Sequence, residues 1–479
     1  MRDEIESKLI ELSRNITGSV LEYKEKNQLT ENKYKFIPVK SIDYDFDNYT
    51  LGWDKSEIII DYEVSNDVFD LLYKKTLNSD LCEELSLLIG EKYEIDANYV
   101  KAVGLGAYIR RLIQISPNVN VEDELYKDFA NRFLSSYERL KNGLEVKWTI
   151  IVWLNNIRLS SDKIEIADNV FLSKLDENDL YEIRTTYESI SGLDRLTSRR
   201  LPATAKLEFT THLLDKVSYD LKPPEIDLLI ETYINILRLF TPSNLYVVKQ
   251  WFKTESFFGY NYEEKKGKQS DTSWEGKLEH RETSNFRFRI SKNVEEELKT
   301  FFTHMKPYLS KISPENYLNG NPIELAIHRY FDALLKTDVN AYKVLYSMTS
   351  LEALLSDGNS EISFKIRLRV SKLMSFFGFD SLDTYTLIKD AYNLRSKLVH
   401  GAKPTEKKGK KDLLDFARKN VLTVLNLNRV CLLFFLQLQN EKSKVDIIKL
   451  IDHSLIDIEA EKELAELIEN RVYIPNVNH

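Results

Sequence analysis

From Asn293 to the end of the chain, apolar residues return at intervals of three and four in every segment, the spacing that puts them on one face of a helix. Five such patterns stand out, at roughly 293–311, 322–336, 340–356, 361–376 and 383–400, and a sixth runs from about 411 to 439. The stretch "SPENYLNGNP" separates the first pattern from the second, and "SDGNS" separates the third from the fourth, with Ser360 placed to cap the helix that follows. Gly401 stands just past the end of a helix, where a positive φ is free of strain for glycine. Short connections between helices of this length favour antiparallel neighbours, so an up-and-down bundle is expected.

The first two thirds of the chain follow other rules. Residues 1–143 read as mostly helical, with "YDFDNYTLGW" and "SEIIIDYEV" as a strand-like interlude. Around residue 144 the period changes: "LEVKWTIIVWL", "KIEIADNVFLSKL", "AKLEFTTHLL", "NLYVVKQWF" and "NFRFRIS" are rich in β-branched and aromatic residues, and one helical run, "PEIDLLIETYINILRLF", interrupts them. The expected fold class is α+β and predominantly helical. Its parts are a helical region 1–143, an α+β domain 144–291, a connecting helix 292–319, a helical bundle 320–440 and a helical extension 441–479.

With 43% apolar residues and no low-complexity tract, the 479-residue chain can pack cores throughout. Cys82 and Cys431 lie far apart and outside any CxxC spacing, which argues against a zinc site or a disulfide framework and fits a reducing compartment. The N-terminal stretch lacks the apolar core of a signal peptide, and the longest apolar run, "VCLLFFL" at 430–436, is too short to span a bilayer. A cytoplasmic protein without a membrane span is expected. Net charge is −8, but between residues 320 and 440 there are 18 Lys and Arg against 12 Asp and Glu, so this segment carries +6 and the remainder −14. Such asymmetry can mark a segment that meets polyanions.

Several motif readings fail on spacing. Asp43, Asp45, Asp47 and Asp54 fall at calcium-loop positions, but Asn48 stands where the loop needs glycine and no glutamate closes it, so an edge strand is expected instead. "VGLGAYI" has two glycines of a dinucleotide fingerprint but neither the third nor a preceding strand. No GKS or GKT, GxSxG or HExxH is present, so ATP, zinc and other cofactors have no visible home.

The pattern with chemical content is "YNLRSKLVHG", 392–401. On the helix ending there, Leu387, Ala391, Leu394 and Leu398 form one apolar row, and Ile388, Tyr392, Arg395 and Val399 form the next. Arg395 thus sits at the edge of the buried stripe, where its guanidinium needs a partner. His400 belongs to the polar side with Asn393, Ser396 and Lys397, roughly 140° away around the helix. A twofold dimer can unite what one helix separates, because each residue is then contributed twice around one cleft. Two histidines and two arginines so arranged suit RNA cleavage: one histidine accepts the 2′-hydroxyl proton, another protonates the departing 5′-oxygen, and arginine stabilises the charge developing on phosphate.

The run "LYSMTSLEALLSDGNSEISFKIRLRVSKLM", followed by "LIKDAYNLRSKLVHG", resembles the HEPN domains of the ApeA-like group of prokaryotic anti-phage and toxin systems. The likeness covers about 120 residues, a quarter of the chain. It implies a helical bundle acting as a metal-independent endoribonuclease across a homodimer or higher homo-oligomer, with Arg395 and His400 as the catalytic pair. Many nucleases of that family carry Asn, Asp or His after the arginine; Ser396 stands there instead and can still hydrogen-bond phosphate or water.

Supporting residues follow from position. Glu352 in "LEALL" is a partner for Arg395, and Tyr392, one turn before Arg395, is placed either to pack in the core or to stack on a base. Lys365, Arg367 and Arg369 alternate along one helix, so one or two of them are expected to face the cleft and contact RNA phosphate, while Lys397 and the "AKPTEKKGKK" lysines, Lys403, Lys407 and Lys408 among them, can gather RNA such as tRNA or mRNA electrostatically. The acidic N-terminal region is expected to restrain activity or to sense a phage-derived trigger. The competing reading is a non-catalytic HEPN-like bundle used for dimerisation or partner binding.

Overall fold

The computed structural model describes the chain except residues 27, 37–38, 46–47, 54–56, 119–122, 177–178, 180–202, 215–223, 255, 258–287, 310–320, 359, 401–406 and 476–479; of the rest of 32–61, and of 63 and 407–411, it describes the backbone alone. The fold is α+β and mostly helical, as the periodicities indicate.

At the N-terminus, α1 (Arg2–Glu25) buries Ile5, Leu9, Leu12, Ile16 and Val20, a four–three–four–four stripe. Two antiparallel strand pairs follow: β1 (Thr30–Phe36) with β4 (Glu57–Glu63), and β2 (Val39–Asp45) with β3 (Asn48–Trp53). Of the aspartates at calcium-like spacing, Asp43 and Asp45 fall in the second pair, where Asp45 lies opposite Asn48, and Asp47 and Asp54 lie outside the described residues. Helices α2 (Asn66–Leu77) and α3 (Asp80–Tyr93) come next, then a short helical turn, α4 (Ala97–Tyr99), which widens into π-type turns at Val100–Leu105 before α5 (Gly106–Ile115) and α6 (Asp123–Lys141). The glycines of "VGLGAYI" lie inside this helical run. A Cβ on Gly104 would come within 1.9 Å of the Tyr137 hydroxyl, so glycine here permits close helix contact.

The second part is a five-stranded antiparallel sheet in the order β10-β5-β9-β8-β7: β5 (Glu145–Asn155), β7 (Lys163–Ala167), β8 (Val170–Ser173), β9 (Ala205–Leu214) and β10 (Tyr246–Thr254). Val146, Trp148, Ile150, Val152 and Leu154 alternate onto its covered face. There α7 (Pro224–Phe240) and α8 (Glu295–Leu309) close the core through ring contacts, Phe209 to Tyr233 at 4.8 Å and Tyr233 to Phe302 at 5.1 Å. A small parallel pair, β6 (Ile157–Leu159) with β11 (Phe288–Ile290), joins segments far apart in sequence.

The C-terminal helices are α9 (Pro322–Leu335), α10 (Asn340–Leu355), α11 (Ile362–Ser375), α12 (Ser381–Val399), α13 (Lys407–Leu438), α14 (Lys444–His453) and α15 (Ile458–Arg471). Their starts follow capping chemistry in four cases: the Asn321 side chain accepts from Ile323 N and Glu324 N ahead of Pro322, Asp380 accepts from Asp383 N, Ser443 from Asp446 N and Asp457 from Glu459 N. Ser360 does not cap α11. Its N-cap is Glu361, in the left-handed region at φ 55° and with no side-chain cap bond. Helix α13 contains a 27-residue stretch, Asp412–Leu438, long and apolar enough to cross a membrane, well beyond the short run read from sequence; 83% of its most apolar window is buried inside the protein, as suits a core helix.

The sheet and the C-terminal helices share one continuous hydrophobic core from Val146 to Ile468, with α8 packed inside it. Arg429, on α13 and 2% exposed, bridges the two parts by donating to the last carbonyls of α7, Leu239 O at 3.1 Å and Phe240 O at 2.9 Å. A second core, from Ile5 to Tyr137, is confined to the N-terminal region except for one residue, Phe257. Just after β10, Phe257 is fully buried with its ring about 5 Å from those of Phe129 and Phe133, and its N–H donates to Ser136 Oγ at 2.7 Å.

Candidate functional site

Helix α12 carries the central motif. Its most buried residues are Thr384, Ile388, Ala391 and Leu394, with Leu387, Tyr392 and Leu398 half-buried and Val399 exposed. The apolar face is therefore centred between the two expected rows, which turns Arg395 onto the flank facing α10.

There the guanidinium meets a carboxylate. Arg395 Nη2 donates to Glu352 Oε2 at 2.8 Å, and both side chains are about one-fifth exposed, at 21% and 17%. The bond is single rather than forked: Arg395 Nε and Glu352 Oε1 are shielded from solvent and complete no hydrogen bond. Burial pushes the Glu352 carboxyl above its usual range, while the Arg395 charge and hydrogen bond pull it down. The Tyr392 hydroxyl lies near the same carboxylate and favours its ionised form. The Tyr392 hydroxyl is itself pushed up, first by burial and then by the negative charge of Glu352. Its ring lies 5.8 Å from the Arg395 guanidinium.

His400 is the C-cap of α12. Its backbone N–H donates to Ser396 O at 3.0 Å, and its exposed imidazole makes no hydrogen bond or ion pair with any described residue. Ser396 is half-buried and Lys397 exposed. Within one chain, then, Arg395 is fixed by a neighbouring helix and His400 stands free beyond it, with Tyr392, Ser396 and Val399 on the face between them.

The three alternating cations of α11 have different environments. Lys365 pairs with Asp357 at 2.9 Å. Arg369, read above as a phosphate contact, is 2% exposed and internal: its Nε and Nη2 grip Asp452 at 2.7 and 2.6 Å, Nη2 also reaches Asp357 at 2.8 Å, and Nη1 donates to Leu355 O at 2.5 Å. That assignment is corrected here, since every nitrogen is engaged and phosphate has no access to it. Arg367 has no ion-pair partner among the described residues; its guanidinium lies 4.9 Å from the ring of Tyr385 on α12 and 5.2 Å from that of Phe364. Tyr385 was passed over in the sequence, although its place seven residues before Tyr392 put it on the same helix face.

Lys403 and Gly401 lie outside the described residues, and Lys407 and Lys408 are in the first turn of α13 with backbone alone described. The basic excess of this segment is also partly internal. Besides Arg369 and Arg429, Lys343 is 1% exposed and donates to Ala333 O and Leu334 O at the end of α9. Among the described residues, no group of three or more His, Cys, Asp or Glu is placed to hold a metal ion. Comparison of the chain with protein-family models, with curated proteins and with solved structures finds no match.

Proposed function

We propose that the protein is a metal-independent endoribonuclease of HEPN type, working as a homodimer with Arg395 and His400 of both protomers around one cleft. The observation that carries this reading is the pairing of a shielded, carboxylate-held arginine with an exposed histidine at the end of the same helix. Structural arginines in this bundle, Arg369 and Arg429, have saturated or carbonyl-capped guanidinia; Arg395 is oriented by one bond and keeps donors unspent.

In the reaction, the neutral imidazole of one His400 takes the proton of an RNA 2′-hydroxyl as that oxygen attacks the adjacent phosphorus. The P–O5′ bond breaks, and the partner's His400, protonated, gives its proton to the leaving oxygen. The products are a 2′,3′-cyclic phosphate and a 5′-hydroxyl. Arg395, aimed by Glu352, donates to the non-bridging oxygens as charge builds on them, and Ser396 supplies a hydroxyl nearby. Lys397 and the lysines at 403, 407 and 408 draw the RNA in without reading its sequence. In this role the protein acts in the cytoplasm of a cell under phage attack, with the N-terminal region as restraint and sensor of a phage-derived trigger.

The test is cleavage of total RNA and tRNA in EDTA by wild type, Arg395→Ala and His400→Ala at matched folding. Wild type alone should cut and leave cyclic phosphate ends, each variant losing on the order of 10²-fold or more. A wild type that neither cuts RNA nor slows growth on expression would leave a dimerisation or partner-binding scaffold instead.

A further inference from the structure

The ring of Phe257 fills a socket whose walls belong to the N-terminal region. Helix α5 contributes Tyr108 and Arg111, and α6 contributes Phe129, Phe133 and Ser136. The Phe257 ring lies 5.0 Å from those of Phe129 and Phe133, both edge-on, and 5.6 Å from Tyr108 in a stack, with the Arg111 guanidinium 4.5 Å from its centre. The main chain is held as well as the ring. Ser136 Oγ donates to Arg132 O at 3.1 Å, which leaves its lone pairs for the Phe257 N–H at 2.7 Å and for Arg139 Nη2 at 3.1 Å.

The occupant comes from the sheet. At the end of β10 the Thr254 hydroxyl accepts from Ser256 N at 3.0 Å, a turn that ends the strand two residues before the ring. Among the described residues, Phe257 is the one member of the N-terminal core from beyond residue 143. A domain interface ordinarily interdigitates many side chains from each partner. Here one ring and one N–H enter a socket, which is the form of a bound peptide rather than of a shared core. The socket also has a chemical preference: edge-on rings and a guanidinium over the face favour a π-system above an aliphatic side chain. The donor that Ser136 receives is a main-chain N–H, which every residue but proline carries. A foreign chain offering an aromatic side chain and its own N–H meets the same contacts.

We propose that this socket is a docking site for an aromatic residue of a partner protein, with Phe257 as its resident occupant, and that a partner displacing Phe257 releases the first 140 residues from the sheet. The short tether to β10 keeps Phe257 at an effective concentration of about millimolar, so a partner wins the site only by adding contacts beyond the one ring. The inference concerns how the N-terminal region is held and does not depend on the nuclease reading.

The experiment opens the socket in the full-length chain with Phe257→Ala and probes it with the chain's own residues 253–257 as a capped peptide, KTESF, beside KTESL and KTESA. KTESF should bind this variant with a Kd on the order of 10² μM, and wild type at least about tenfold more weakly because its socket is filled. KTESL should bind about tenfold more weakly than KTESF, and KTESA should not saturate. Adding Ser136→Ala should weaken KTESF binding about fivefold, through loss of the main-chain acceptor. Small-angle scattering should give Phe257→Ala a larger radius of gyration than wild type. If Phe257→Ala does not fold, Phe257→Leu keeps most of the socket filled and should yield to KTESF where wild type does not. A folded variant that binds KTESF and KTESA alike, or binds neither, would overturn the docking site, and a radius equal to that of wild type would overturn the release.

Discussion

Two residues apart on a helix means roughly 200° of rotation, so Lys365 and Arg369 share one side of α11 and Arg367 points away from them. That geometry separates a clamp from a surface cation. Arg369→Ala removes the buried partner of Asp357 and Asp452, and urea unfolding should show a loss of about 3 kcal/mol. Arg367→Ala should change stability by less than about 1 kcal/mol, since only its contacts to the Phe364 and Tyr385 rings go. The clamp also fixes a pH dependence. Hydrogen bonds from Arg369 and Lys365 hold the Asp357 carboxyl well below the ordinary carboxylate range. In the unfolded chain Asp357 takes up a proton near pH ~3.9, while in the folded protein it stays ionised. Its contribution is therefore complete above the ordinary value and is lost as pH falls toward the folded one. The difference in Tm between wild type and Asp357→Asn should be constant from neutral pH down to about 5 and shrink below about 4; a difference that widened in acid would contradict the clamp. Glu352 has the opposite sign. Burial raises its folded value, so protonation begins at a higher pH than for an exposed glutamate and loosens the hold on Arg395. Glu352→Gln keeps an acceptor for Arg395 without the buried charge, and should preserve Tm at pH 7 while lowering cleavage if carboxylate charge aims the guanidinium.

Among the elements, those with a strong three–four or alternating pattern were legible in the sequence, and non-local ones were not. Helices α9, α10, α11 and α12 fall within two residues of the expected spans because Pro322, "SDGNS" and Asp380 punctuate them. Strand β6 had no such signal: three residues become a strand only because Phe288–Ile290 arrives beside them from far along the chain. The start of α11 misled for a related reason. Ser360 has capping chemistry, but the backbone turns one residue later, at Glu361. At the site, the sequence pointed to the Arg395–Glu352 pair, whereas the fate of Arg369 depended on Asp452, 83 residues away. A count of basic residues holds no information on burial, so Lys343, Arg369 and Arg429 inflated the apparent basic surface. The two glycines around the start of α5, Gly104 and Gly106, also changed meaning once the helix was seen. Gly104→Ala would drive a methyl group into Tyr137, whose ring is packed 5.1 Å from Phe133 and 5.4 Å from Tyr93. Thermal unfolding should report a loss of about 1–3 kcal/mol confined to the N-terminal core. Gly18→Ala, where nothing lies within 4 Å of the added carbon, should be neutral or stabilising.

In the whole molecule, the sheet and the C-terminal helices share one hydrophobic core and the N-terminal region has a second. Arg429 ties the sheet's helix to the C-terminal helices, and burial lowers its guanidinium to about 10 against the opposing pull of Tyr330 and the Glu297 charge, still protonated at any physiological pH. Arg429→Met would leave the Leu239 and Phe240 carbonyls without a donor, a loss of about 1–3 kcal/mol that unfolding of sheet and bundle should show together, since their core is one. The N-terminal core is joined differently. Its chain leaves through the exposed turn around Gly143, but Phe257, which belongs to the sheet's side of the sequence, sits inside it. A protease that nicks the backbone at that turn therefore does not free the front of the molecule. The two fragments should run as one species on gel filtration and separate only in denaturant. With Phe257→Ala, which removes a fully buried ring worth about 3–5 kcal/mol, the nicked halves should part in buffer alone. Among the described residues, the first 140 thus connect to the remainder through the peptide bond and through Phe257, and the ring's share of that second link can be withdrawn without cutting the chain.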